Sequence, residues 1–365
     1  MKLATCDVCG RLLQFEQSTC RGCGAPLGFL PEPMILTALE DLDDGLLAPK
    51  GRSEEYRRCV NAEANGCNWL VPTEAEDPRC LSCRLNRNLA DMSVPLHRAK
   101  WRLLECAKRR LLYAMLRFGQ SIAPKAGPEP RGLAFDFLVG SRGAPVMTGH
   151  SGGLITINIV EADSVERERQ RIALNEPYRT LLGHFRHEAG HYYQSVLVDD
   201  RGLEDACRAV FGDDTLSYSE AMTAYYAEGP KADWQDAYVT AYATMHPWED
   251  FAETWAHYLH MVDTLDTGAG FGLSVKPRVG EDPRDATVID FDPYQPPDFA
   301  SLVAAWLPLT EAVNSLNRSM GQPDLYPFDL SPKVQEKLRF IHDLLHPVAG
   351  ETGAEPKDRA ATLDA

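Results

Sequence analysis

The 365-residue chain contains no apolar run long enough to cross a bilayer. Its N-terminus, MKLATCDVCG, has no hydrophobic stretch of the kind that leads a secreted chain. Basic residues are in deficit, with 37 Lys and Arg against 53 Asp and Glu. The deficit is uneven: residues 1–130 sum to about +2 and the remainder to about −18. A C-terminal half so poor in cations argues against nucleic acid as its substrate, since phosphate contacts are made by lysine and arginine. Together these absences predict a cytoplasmic protein with no membrane partner. Cysteine is not scarce. There are ten, and in a reducing compartment metal binding is the usual reason for so many.

Cys6-x-x-Cys9-Gly and Cys20-x-x-Cys23-Gly are two knuckles. A two-residue spacer lets both sulfurs of a knuckle face one ion, and the glycine permits the tight turn that follows. Four thiolates then close a tetrahedral zinc site that replaces a core too small to build from some thirty residues. Cys59, Cys67 and the pair Cys80-x-x-Cys83 form a less regular set and predict a second four-cysteine site. Cys106 and Cys207 have no partner in sequence and read as ordinary buried thiols. PEPMILTALEDLDDGLLAPKG, between the two sets, reads as a mobile surface linker. SVPLHRAKWRLLECAKRRLLYAMLRFG reads as one long helix with its arginines and lysines on a solvated or inter-domain side. SIAPKAGPEPRG has the composition of a linker.

The C-terminal half centres on His187-Glu188-Ala189-Gly190-His191 within LLGHFRHEAGHYYQSVL. Residues four apart share a helix face, so both imidazoles can point at one metal, with Glu188 on the flank to activate water. His184, one turn earlier, is a further candidate ligand. A metzincin would need Gly at 194 and His at 197, and Gln194 and Leu197 exclude that class. YATMHPWEDFAETWAHYLHMVD offers Glu249 and Glu253 four apart on a helix begun by Pro247. Either glutamate could bind the metal while the other hydrogen-bonds the far nitrogen of a ligand histidine. His257 and His260 read as structural. GLAFDFLVG and GLITINIV read as strands, with TGHSGG as a turn between them. GLITINIV is the candidate cleft edge against which a peptide could pair.

HEAGH followed by Tyr242-x6-Glu249-Asp-Phe-Ala-Glu253 resembles the pattern of lethal-factor-like zinc peptidases. The whole chain, knuckles included, resembles bacterial zinc-binding metallopeptidases with an N-terminal zinc ribbon. The resemblance implies a gluzincin-like enzyme in which His187, His191 and Glu249 bind the catalytic zinc and Glu188 is the general base. It further implies that Tyr242 stabilises the oxyanion and that Glu253 orients a ligand. Asp250 stands where such relatives often have Phe.

The expected architecture is α+β, with zinc-ribbon modules ahead of a mainly helical zincin-like domain holding a small sheet. Its parts are a ribbon over 1–30, a linker over 31–52 and a second four-cysteine segment over 53–92. A long helix over 93–120, a linker over 121–131, the peptidase domain over 132–347 and a flexible tail over 348–365 follow. The expected cofactors are one catalytic and one or two structural Zn2+, and the partners a peptide or protein substrate and a protein bound through the ribbon. The rival reading is a zinc-stabilised adaptor on an inactive peptidase scaffold.

Overall fold

The computed structural model describes residues 3–125, 131–140, 146–174 and 176–347, so the expected tail over 348–365 lies outside the described residues. Strands β1 (Leu3–Thr5) and β2 (Leu12–Gln14) form a hairpin around the first knuckle. Strands β3 (Leu27–Leu30), β4 (Ile35–Asp41), β5 (Leu47–Pro49), β6 (Tyr56–Arg58) and β7 (Leu70–Pro72) make an antiparallel sheet in that order. The short helices α1 (Ala62–Asn65) and α2 (Leu81–Arg84) accompany the second cysteine set. Strand β8 (Asn86–Leu89) and helix α3 (Pro95–Arg117) complete this half.

The segment read as a mobile linker is thus two strands of the five. Leu36, Thr37, Ala38 and Leu39 are all buried, Leu36 and Ala38 in the main core and Leu39 with Leu30, Leu47 and Leu70 in a smaller cluster. Asp7 ties this sheet to the first knuckle by accepting from the Ala38 amide at 3.1 Å. The acids that suggested mobility lie in the connection between β3 and β4 (Glu32), at the exposed end of β4 and in the Asp43–Gly45 turn. Their composition described a turn, not the strands on either side of it.

The second half has a four-stranded sheet in the order β10 (Gly149–Ser151), β11 (Leu154–Asn158), β9 (Ala134–Leu138) and β8. Strand β10 runs antiparallel to β11, and the other pairs are parallel. The helices are α4 (Ser164–Ala173), α5 (Leu181–Leu197), α6 (Glu204–Phe211), α7 (Tyr218–Glu228) and α8 (Pro247–Gly270). After a two-residue pair, β12 (Ser274–Val275) and β13 (Thr287–Val288), come α9 (Phe299–Ser319) and α10 (Pro332–Leu345). This is the expected α+β arrangement, a zinc ribbon followed by a mainly helical domain.

The two halves share one core. Phe15 and Phe29 of the ribbons, backed by Trp69, pack on Tyr113 of α3, with ring centroids 4.9 Å apart for Phe15–Phe29 and 5.0 Å for Phe15–Tyr113. Tyr113 in turn meets Tyr294 from the far end of the chain. The basic residues of α3 divide: Arg98 and Arg102 are exposed, whereas those of its C-terminal half face the rest of the protein, the inter-domain side of the expectation. Lys108 and Arg109 are buried, Arg110 pairs with Glu16 of the ribbon, and Arg117 pairs with Asp292 and Asp266.

Among the described residues α9 is long and apolar enough to cross a membrane by length and composition. Its Leu302, Ala305, Trp306 and Leu309 are buried in the core, and Pro308 interrupts it.

A core that spans both halves predicts one cooperative unfolding transition for the metal-loaded chain. Phe15→Ala in the ribbon should lower the stability of the whole by about 3–5 kcal/mol. Helix content and ribbon tryptophan fluorescence followed in denaturant check this, and two separate transitions would contradict a shared core.

Candidate metal centre

The site rests on the contact between α5 and α8. A β-carbon on Gly190 would lie 2.9 Å from Ala252 Cα and 3.2 Å from Trp255 Cδ1, so only glycine lets the helices approach this closely. Below the contact Arg186 of α5 pairs with Asp263 of α8, and both are buried. Tyr193 and Trp255 stack across the same interface at 5.2 Å. Thr180 caps α5 by accepting from the Gly183 amide at 3.0 Å, and His246 caps α8 by accepting from the Trp248 amide at 3.1 Å.

This packing brings His187, His191 and Glu249 together, with one ligand atom from each lying within 4.8 Å of the others. Glu249 Oε2 is 3.0 Å from His187 Nε2 and 3.6 Å from His191 Nε2, and it is buried without a hydrogen-bond partner. Glu253 accepts from His187 Nδ1 at 2.6 Å and from the Thr240 hydroxyl at 2.7 Å. A carboxylate at Nδ1 fixes a proton there and aims Nε2 toward Glu249. Burial opposes charge on Glu249, but His187 and His191 outweigh it and hold its carboxyl well below the usual range. Burial likewise opposes charge on His187, and Glu249 and Glu253 outweigh it. Two nitrogens and an orphaned carboxylate oxygen converging in a buried place form a donor set suited to a divalent cation.

Glu188 is buried on α5 between the two histidines. Tyr242 sits in a helical turn with its ring 6.0 Å from that of His187. Burial first, and the charge of Glu249 second, push its hydroxyl far above the ordinary phenol range. Asp250, beside Glu249, is fully buried and accepts from Lys337 of α10 at 2.6 Å, while Lys337 also donates to the Ala237 carbonyl.

Both cysteine sets are assembled. Cys6, Cys9, Cys20 and Cys23 form one cluster, with Cys6–Cys23 and Cys9–Cys20 sulfurs 3.7 Å apart. Cys59, Cys67, Cys80 and Cys83 form the other, with Cys67–Cys80 at 3.5 Å and Cys67–Cys83 at 3.9 Å. These separations exceed a disulfide bond and match the edge of a tetrahedron of ~2.3 Å metal–sulfur bonds, about 3.8 Å. Gly10 and Gly24 adopt φ of 72° and 77° after their knuckles. Cys9 and Cys23 are exposed, whereas all four cysteines of the second cluster are buried.

Other candidates fall elsewhere. His184 lies 3.1 Å from Glu161 rather than in the metal cluster. His257 bonds Tyr326, and His260 bonds Arg186. Cys207 is buried and Cys106 only half-buried. The sheet edge beside the metal cluster is β10, inside the stretch read as a turn, because β11 is covered on both sides by β10 and β9. His150 of β10 stands 6.1 Å from the His191 ring.

Three further residues at the site carry no motif signal. Trp248 packs 3.9 Å from the His191 ring, Thr240 holds Glu253, and Tyr218 donates to Glu249 Oε1 at 2.9 Å. Tyr218 lies 31 positions before Glu249, so only the fold reveals it.

A helix-borne pair of histidines closed by a glutamate from a second helix, behind an N-terminal zinc ribbon, is the arrangement of metal-dependent peptidases. The chain belongs to the family described as "Putative zinc-binding metallo-peptidase", whose model matches residues 97–344, and residues 3–94 match a zinc-ribbon domain. Proteins from Mycobacterium bovis and Mycobacterium tuberculosis, described as uncharacterized, are 41% identical to it over 345 residues, covering 94% of this chain and 95% of theirs. No solved structure matches the chain significantly.

Gly190→Ala should cost about 1–3 kcal/mol, as overpacking does, and should weaken metal binding at His187, His191 and Glu249 while both cysteine clusters keep theirs. Denaturation and metal analysis check this; unchanged stability would show that the helices have room to spare. A chelator should strip the half-exposed first cluster faster than the buried second one, with Cys9→Ser and Cys67→Ser variants assigning the two phases.

Proposed function

We propose that the chain is a zinc-dependent peptidase of gluzincin type. The single observation that carries this reading is the convergence of His187 Nε2, His191 Nε2 and the unpartnered Glu249 Oε2 next to Glu188. A zinc ion held by these three residues supplies Lewis acidity for attack of water on a peptide carbonyl. Glu188 takes the proton of the attacking water and passes it to the leaving amine. Tyr242, carried over from the lethal-factor-like pattern, donates to the oxygen on which charge develops. Glu253 keeps His187 in the metal-binding tautomer. The free edge of β10 offers backbone groups for a peptide to pair with.

In this proposal the two cysteine clusters hold structural zinc, and the ribbons brace the catalytic domain through the shared core or receive a protein partner. A cytoplasmic setting keeps their thiolates reduced.

The wild-type chain should contain about three zinc ions and the Glu249→Ala variant about two, the loss being that of one three-ligand site. Glu188→Gln should keep the wild-type metal content and lose about 100-fold or more in peptide hydrolysis, the contribution of a general base. Undiminished, chelator-sensitive hydrolysis by Glu188→Gln would refute the assignment.

A further inference from the structure

We propose that Tyr218 is a positioning residue of the metal centre: it occupies one oxygen of Glu249 so that the carboxylate offers only the other to the metal. The inference rests on the metal-site reading above and adds a residue that neither the motif nor the family match assigns.

The two oxygens of Glu249 have different surroundings. Oε1 accepts from the Tyr218 hydroxyl at 2.9 Å. Oε2 is buried, has no hydrogen-bond partner and faces both Nε2 atoms. A carboxylate with one oxygen so engaged is biased to bind through the other. With both oxygens free it could chelate, taking up the open position that a catalytic zinc site keeps for water or substrate. The phenol bond also fixes the rotation of the carboxylate, the orienting role that Glu253 has for His187.

Tyr218 is held for this task by rigid neighbours. Its ring lies 5.4 Å from His246 and 5.6 Å from Trp248, both at the start of α8. His246 uses Nδ1 to cap α8, so its proton is on Nε2, which donates to the Leu216 carbonyl at 3.1 Å, two residues before Tyr218. The turn that supplies Glu249 thereby also anchors the segment that supplies Tyr218. The rest of α7 contrasts with this anchored end. It has no buried residue, and Met222 and Tyr226 are exposed.

The test uses the full chain with zinc retained in the cysteine clusters. Affinity of the His/Glu site is measured by chelator competition, and its cobalt-substituted form by visible absorption. Tyr218→Phe should weaken metal binding at that site about 10–100-fold, the usual effect of losing a group that orients a ligand. It should also dim the cobalt bands as the carboxylate becomes bidentate. Full zinc in both cysteine clusters shows that the variant is folded, and Tyr242→Phe should leave metal affinity unchanged. Unchanged affinity and spectrum in Tyr218→Phe would overturn the inference. So would a fall in turnover alone, which would make Tyr218 an oxyanion donor instead. A wild-type site that takes up no metal would overturn the function reading and this inference together, which separates the two failures.

Discussion

The distance between two helices governs the chemistry of this chain. Helix α5 brings two histidines and α8 brings two glutamates, and they meet only because Gly190 has no side chain where Ala252 and Trp255 press against it. Beneath them the Arg186–Asp263 pair adds attraction in a place where either charge alone would be costly. Tyr294 donates to the same Asp263, and Arg117 covers the Tyr294 ring, so the brace extends from α5 and α8 to α3. Each contact that places a ligand atom follows from that one approach.

Helix α3 explains why the ribbons are not a detachable module. Its charged residues Glu105, Lys108 and Arg109 are buried, with Lys108 bonded to Glu105 and to Asn86 of β8. Arg109 is buried deeply enough that its charge would be unfavourable were it not for Cys67 and Glu105 close by. Four thiolates around a divalent ion leave a net negative charge, and a buried arginine opposes it. The second cysteine cluster and the helix that packs on α5 are thus electrostatically matched.

What could be read from the sequence divides along physical lines. The HEAGH helix, the long α3 and the knuckles were legible, because a helix periodicity or a two-residue spacer fixes geometry over a few residues. Strands β4 and β5 were not, since prolines and acids at their ends resemble a linker and their burial depends on partners far along the chain. The edge position of β10 was hidden because GHS is short and flanked by glycines, while the more apolar GLITINIV takes the interior place. Tyr218 and Thr240 gave no signal at all. Their roles arise only when α7 and the turn before α8 fold back on the glutamates. Asp250 looked anomalous beside a metal-ligand candidate until Lys337 appeared as its partner from 87 residues away.

That last pair has a consequence for how the protein is made. Asp250 lies in the first turn of α8, next to Glu249, and its buried charge is answered by Lys337 of α10. A charge buried without its partner costs several kcal/mol, on the order of 3–5. Lys337 follows Asp250 by 87 positions, so the first turn of α8 is made before its partner is. Docking of α10 therefore stabilises the turn that carries Glu249, and with it the placing of the candidate ligands.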